Sequence, residues 1–179
     1  MNPAPNLVLV GPMGAGKTSI GKRLAAHFAL DFVDVDQRLE VITGAPVPVI
    51  FECEGEAGFR QRETALIAEL MQGHGQLVAT GGGAVLAEDN RRRLRERGFV
   101  VHLRVGVDQQ IERLARDRQR PLLAGGDRRE KLEALAAART PLYEAIADIE
   151  FSSDGLSVGH AAEQLAALIA PRWQRADAA

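Results

Sequence analysis

Gly11-Pro-Met-Gly-Ala-Gly-Lys-Thr18 carries the strongest chemical signal in this chain. Gly11, Gly14 and Gly16 let the backbone curl until successive N–H groups face one anion, where a Cβ would block the approach. Gly14, Ala15, Gly16, Lys17, Thr18 and Ser19 then lie at the start of a helix, whose unpaired N–H groups and positive dipole end favour a phosphate. Lys17 supplies a point charge for the outer phosphates, and the Thr18 hydroxyl can ligate a bridging Mg²⁺. G-x-x-x-x-G-K-[ST] is a phosphate-binding loop only when a strand precedes it and a helix follows. Asn6–Val10 is an apolar strand, and Ile20, Leu24 and Phe28 repeat at helical spacing behind the loop.

Other candidates lie where further strands end. Asp34 and Asp36 are two apart at the end of Phe32–Val35, hence on one face. One could serve the metal and the other accept a hydroxyl proton. Alternatively Asp36 caps a helix running to Ile42, and Asp34 hydrogen-bonds in a turn. Gly81-Gly82-Gly83 follows the strand Leu77–Thr80 directly and offers backbone N–H groups to a ligand at close range, or is merely a loose turn. Glu56, Arg60 and Glu63 recur at spacings of four and three, a pattern that by itself reads as a surface ion-pair face. Arg113, Arg116, Arg118 and Arg120 precede Gly125-Gly126, as a closing lid would require or as a solvated basic helix end would show. Arg139 falls on the buried stripe Leu132, Leu135, Leu142 and Ile146. It needs either an internal carboxylate or a bound anion there.

The elements that must position these groups alternate. A helix over residues 36–42 ends at Gly44; Pro46 and Pro48 break the chain, and Gly55–Gly58 breaks it again. A helix with Phe59, Leu66 and Leu70 inward ends at Gly73. Helices over Glu88–Arg97 and Val107–Arg116 flank the strand Phe99–Leu103. A long helix from Arg128 is interrupted at Pro141, a last strand spans Ile149–Ser152, a helix covers Gly159–Ile169, and the tail from Pro171 frays. Strand and helix in alternation imply an α/β fold with a parallel sheet covered on both faces, its ligand beyond the strands' carboxyl ends.

The chain has 179 residues, 46% apolar and 26% charged, with net charge −2. That describes one domain, 1–179, and argues against nucleic acid as a partner. Cys53 is the sole cysteine, which excludes an internal disulfide and any multi-cysteine zinc site. With no secretory leader and no run long enough to span a bilayer, a cytoplasmic protein is expected.

In order, Gly11–Thr18, Asp34-Val-Asp36, Phe51-Glu52, Gly55-Glu56 with Phe59-Arg60, Gly81–Gly83, Arg120-Pro-Leu-Leu123 and Arg139-Thr-Pro-Leu-Tyr143 resemble the shikimate kinases, from about Leu7 to Ile169. The resemblance implies a three-layer P-loop kinase fold with a central five-stranded parallel sheet, a helical substrate-binding region over residues 36–63 and a lid over 115–127. It implies ATP and Mg²⁺ as cofactors, and a monomer that phosphorylates the 3-hydroxyl of shikimate. By the same resemblance Asp36 binds the hydroxyls and acts as base, and Asp34 supports Mg²⁺ through water. Arg60 and Arg139 hold the carboxylate, and Gly81–Gly83 contact the ring. Arg120 stabilises the transferring phosphoryl, with Lys17 and Asp36 completing the catalytic set, and Arg113 stacks on adenine.

The chain departs from the family at Pro46, Pro48 and Val49, where small polar or acidic residues are usual and a helix cap is lost. A gluconate kinase would share the loop and lid but not the set of Arg60, triple glycine and Arg139. A nucleotide-gated switch protein would need Asp-x-x-Gly and Asn-Lys-x-Asp, and neither occurs.

Overall fold

The structure, a computed structural model, describes residues 2–115, 117, 121–123 and 125–176. Its strands are β1 (Asn2–Ala4), β2 (Asn6–Val10), β3 (Asp31–Asp34), β4 (Gln76–Ala79), β5 (Gly98–Arg104), β6 (Ile149–Ser152) and β7 (Trp173–Arg175). Five of them form a parallel sheet in the order β3-β4-β2-β5-β6. The expected five-stranded α/β architecture is therefore present. β2 lies at the centre, buried throughout, between β4 and β5. Its phosphate loop thus opens between the ends of its neighbours.

Alternation along β2 divides the core in two. Leu7 and Leu9 join Leu24 of α1 (Lys17–His27) and Leu165 of α7 (Val158–Ile169) on one face. Val8 and Val10 join residues of α2 (Val35–Thr43), α3 (Val47–Leu70), α4 (Glu88–Arg97) and α6 (Arg128–Ile146) on the other. Packed between α6 and the outer end of the phosphate loop is α5 (Val107–Leu114), through Leu114 and Met13.

Several local expectations are corrected. The cap of α2 is Asp34, not Asp36: its Oδ1 accepts from the Gln37 N–H at 3.1 Å, and Asp36 stands in the first turn. The segment 47–70 runs as helix on both sides of one kink at Gly55 (φ 71°, ψ 178°), while Gly58 stays helical. Pro48 starts this helix instead of breaking it, since it occupies a first-turn position that needs no N–H. Glu40 supplies the missing cap, its Oε1 accepting from Val47 N–H at 2.8 Å.

At Pro141 α6 continues. Ala137, whose carbonyl the proline leaves unpaired, is exposed, so water can satisfy it and the helix has no reason to break there. Finally, the tail expected to fray from Pro171 carries β7, which pairs with β1. Buried Trp173 donates its indole N–H to the Ala4 carbonyl at 3.0 Å.

Candidate active site

The phosphate loop has the backbone its glycines suggested. Gly16 precedes α1 in left-handed conformation (φ 91°) with no side-chain cap, so the first-turn N–H groups are left for an anion. At Gly11 a Cβ would overlap the Leu103 carbonyl, so the loop can leave the sheet here only as glycine. Lys17 Nζ donates to the carbonyls of Gly11 and Pro12 at 2.7 and 2.8 Å, folding over the loop it serves. Thr18 Oγ1 donates to Asp34 Oδ2 at 2.5 Å. Gly14, Gly16, Lys17, Thr18, Ser19 and Asp34 line a cleft of about 660 Å³, and Ala15 is buried beneath.

Arg113 reaches the same cleft from α5. Its Nη1 donates to the Gly14 carbonyl at 2.8 Å and to Ser153 Oγ at 3.0 Å, and its Nη2 to the Ser153 carbonyl at 3.0 Å. Ser153 Oγ in turn donates to the Ala15 carbonyl at 3.0 Å. The loop after β6 is thereby fastened to the phosphate loop. Nothing in the local sequence distinguishes Ser153 from any loop serine.

A second, smaller compartment adjoins the first and shares Met13, Asp36, Val47, Gly81 and Gly82 with it. Phe51 and Phe59 form its apolar wall, with ring centroids 4.6 Å apart. Arg60, Glu63, Gly83 and Arg139 supply its polar groups, and Pro121 and Leu122 border it. Asp36 therefore stands where the two compartments meet. Arg116, Arg118 and Arg120 lie outside the described residues.

Arg60 is not surface decoration. Its Nη1 donates to Glu63 Oε2 at 2.7 Å, and its Nη2 reaches Glu56 Oε1 at 3.4 Å. Glu63 is wholly buried, and its Oε1 has no hydrogen-bond partner among the described residues. Burial raises its pKa, against the pull of Arg60. The spacing that suggested an exposed face was misleading. Position 63 also falls on the stripe of Phe59, Leu66 and Leu70, and a glutamate there is the same kind of anomaly as Arg139.

Arg139 is 5% exposed, and among the described residues it makes no ion pair with a carboxylate. Burial lowers its pKa, while the Tyr143 oxygen works in the opposite sense. A guanidinium retains its proton even so. It is a cation held ready in a compartment with an apolar wall.

The triple glycine is tight as well as flexible. A Cβ at Gly83 would overlap the Arg60 guanidinium, and one at Gly81 would come within 2.9 Å of both Asp36 and Glu63 oxygens. Arg91, from α4, secures the 3₁₀ turn that follows, donating to the Val85 carbonyl at 2.6 Å.

The arrangement can grip polyphosphate on one side and a small anion on the other, with a carboxylate between them. Among the described residues no three acidic or histidine side chains cluster to form a metal site. Thr18 and Asp34 are nevertheless oxygen donors of the kind Mg²⁺ takes when it keeps most of its waters.

Comparison with known proteins follows the same lines. A model of the family described as "Shikimate kinase" matches residues 13–170. The shikimate kinase of Stenotrophomonas maltophilia (strain R551-3) is 56% identical over 177 residues, covering 99% of this chain and 98% of that protein. That of Xanthomonas campestris pv. campestris (strain 8004) is 54% identical over 174 residues, 97% of each. A solved structure of shikimate kinase from Acinetobacter baumannii in complex with shikimate superposes with a TM-score of 0.91 at 42% identity, covering 94% of both chains.

Proposed function

The chain belongs to the shikimate kinase family, and from that membership we propose how its cleft moves the γ-phosphoryl group of ATP to the 3-hydroxyl of shikimate, giving shikimate 3-phosphate. The phosphates lie on the N–H groups of Gly14–Ser19, with Lys17 neutralising charge as it develops. Thr18 and Asp34 hold Mg²⁺, the aspartate through water. When bound, the ion offsets the charge of the outer phosphates. Arg113 contacts the nucleotide on its adenine side, next to Ser153.

Shikimate occupies the smaller compartment. Arg60 and Arg139 converge on its carboxylate as planar forks, which suit two oxygens better than an ammonium would. Glu63 holds Arg60 in place. The backbone of Gly81–Gly83 meets the ring, and Asp36 binds the hydroxyls and takes the proton of the attacking one. Arg120 stabilises the transferring phosphoryl from the lid; that role rests on the family resemblance alone.

The observation that carries this reading is the place of Asp36, common to the phosphate cleft and to the compartment of Arg60 and Arg139. A base serving phosphoryl transfer must reach the acceptor hydroxyl where that hydroxyl faces the phosphates. We further propose one kinase domain over residues 1–179, with a substrate region over 36–63 and a lid over 115–127. It acts as a cytoplasmic monomer in chorismate and aromatic amino acid synthesis, without a nucleic-acid partner. Among the described residues no helix is long and apolar enough to cross a membrane.

The test is ADP release measured with shikimate, gluconate and nucleoside monophosphates. Turnover should require shikimate, and reduced shikimate lacking the carboxylate should lose activity sharply. Equal turnover of gluconate or AMP would overturn the assignment.

A further inference from the structure

Beneath Arg139 lies a group that none of the roles above uses. Tyr143 is one helical turn further along α6, on the same face, and is 1% exposed. Its hydroxyl donates to the Gly82 carbonyl at 2.5 Å. Its ring packs on buried His102 of β5, with centroids 5.0 Å apart and planes at 35°. Arg139 stands four residues before Tyr143 on the same face of the helix, its guanidinium an electrostatic neighbour of the phenol oxygen. Arg139 Nη1 also lies against Gly82, 3.6 Å from where a Cβ there would stand.

A phenol has one proton to give and lone pairs to accept with. Here the proton is committed to the Gly82 carbonyl, so the hydroxyl pins the peptide against which the Arg139 guanidinium lies. Burial pushes the Tyr143 pKa up to about 12, so the donor is retained throughout the working pH range. The hydroxyl thus bears on two substrate-facing groups from different elements, the Gly82 peptide directly and the Arg139 fork through it, and His102 sets its depth above the sheet. Resting on the assignment of Arg139 to the substrate carboxylate, we propose that Tyr143 is a positioning residue for shikimate recognition, holding the Arg139 fork in register with the Gly82 peptide before substrate arrives. A buried arginine without an acidic partner would otherwise choose among several rotamers, and ordering it on binding would weaken affinity.

The experiment is a double-mutant cycle on the full-length enzyme with Tyr143→Phe, Arg139→Ala and both together. The phenylalanine retains the ring on His102 and loses only the hydroxyl. Tyr143→Phe alone should raise the KM for shikimate roughly tenfold, about the worth of one hydrogen bond, and leave the KM for ATP unchanged. In the Arg139→Ala background the same substitution should add less than about twofold, because there is no fork left to orient. A merely structural role would appear as a lowered melting temperature, with the same factor on KM in both backgrounds. An unchanged shikimate KM for Tyr143→Phe, or an undiminished factor without Arg139, would overturn the inference. If Arg139→Ala itself left the shikimate KM unchanged, the carboxylate assignment would fall instead.

Discussion

Thr18 Oγ1 stands 2.5 Å from Asp34 Oδ2, and the other oxygen of that carboxylate accepts the Gln37 N–H at 3.1 Å. One side chain therefore links the first turn of α1 to the first turn of α2. It is a helix cap and a proposed metal partner at once, and these two roles can be separated by chemistry.

Asparagine caps a helix as well as aspartate does, but it brings no charge to a cation. Asp34→Asn should keep the melting temperature close to wild type and raise the Mg²⁺ concentration needed for half-maximal rate. Asp34→Ala should raise the Mg²⁺ requirement likewise and in addition lose about 1 kcal/mol of stability with the cap. An Asp34→Asn enzyme with unaltered Mg²⁺ dependence would leave Asp34 as a cap alone.

With the cap assigned to Asp34, helix capping no longer explains Asp36. Asp36→Asn should fold normally and reduce kcat roughly 10²- to 10⁴-fold, the usual span for losing a general base. Circular dichroism and steady-state kinetics on the same preparation check both halves. Near wild-type kcat would remove Asp36 from the catalytic set.

How much of this could be read in advance depended on how local each signal was. The phosphate loop is self-contained, since its glycines, lysine and threonine act through backbone within one turn, and it was legible in full. Arg139 was also legible, because a charge on an apolar stripe is a contradiction that needs no knowledge of partners. Glu63 was the same contradiction, hidden because Arg60 and Glu56 at helical spacing offered an easier surface explanation. Tyr143 gave no warning: an aromatic residue on a buried stripe reads as packing, and its hydroxyl matters only through Gly82, far away in sequence. Pro141 was overread, because the cost of a proline depends on whether the carbonyl it frees can reach water.

Gly83→Ala probes the substrate region without disturbing the backbone. Gly83 has φ −97°, which any residue adopts, so the obstacle is the Arg60 guanidinium that the new methyl would overlap. The long side chain can move aside, but doing so strips buried Glu63 of its cation, so the apo melting temperature should fall. The displaced arginine should surrender its bond to Glu63, and the KM for shikimate should rise about tenfold, as for a lost hydrogen bond. The KM for ATP should stay put. Unaltered kinetics for Gly83→Ala would mean that Arg60 does not depend on the geometry seen here.

His102 should govern part of the acid limit of stability. Burial is the main reason its pKa falls from 6.5 to about 4, with Arg104 and Lys17 adding to the effect and Glu150 opposing it. At pH values between these two, the unfolded chain binds a proton that the folded chain refuses. Stability from this residue is therefore complete above about pH 6.5, is lost as pH falls through that window, and declines no further below about 4. The full loss is about 3 kcal/mol at most. Glu63 works in the opposite sense, since its raised pKa lets the fold take up a proton ahead of the unfolded chain, so wild type alone cannot isolate the histidine. His102→Phe retains a ring against Tyr143 and removes the titration. Urea unfolding of both proteins at pH 7.5 and pH 4.5 measures the difference. The variant should gain on wild type by roughly 2 kcal/mol on going to the lower pH, whichever is more stable at neutrality. Parallel losses in the two proteins would mean that His102 takes up its proton in the folded state as readily as in the unfolded one.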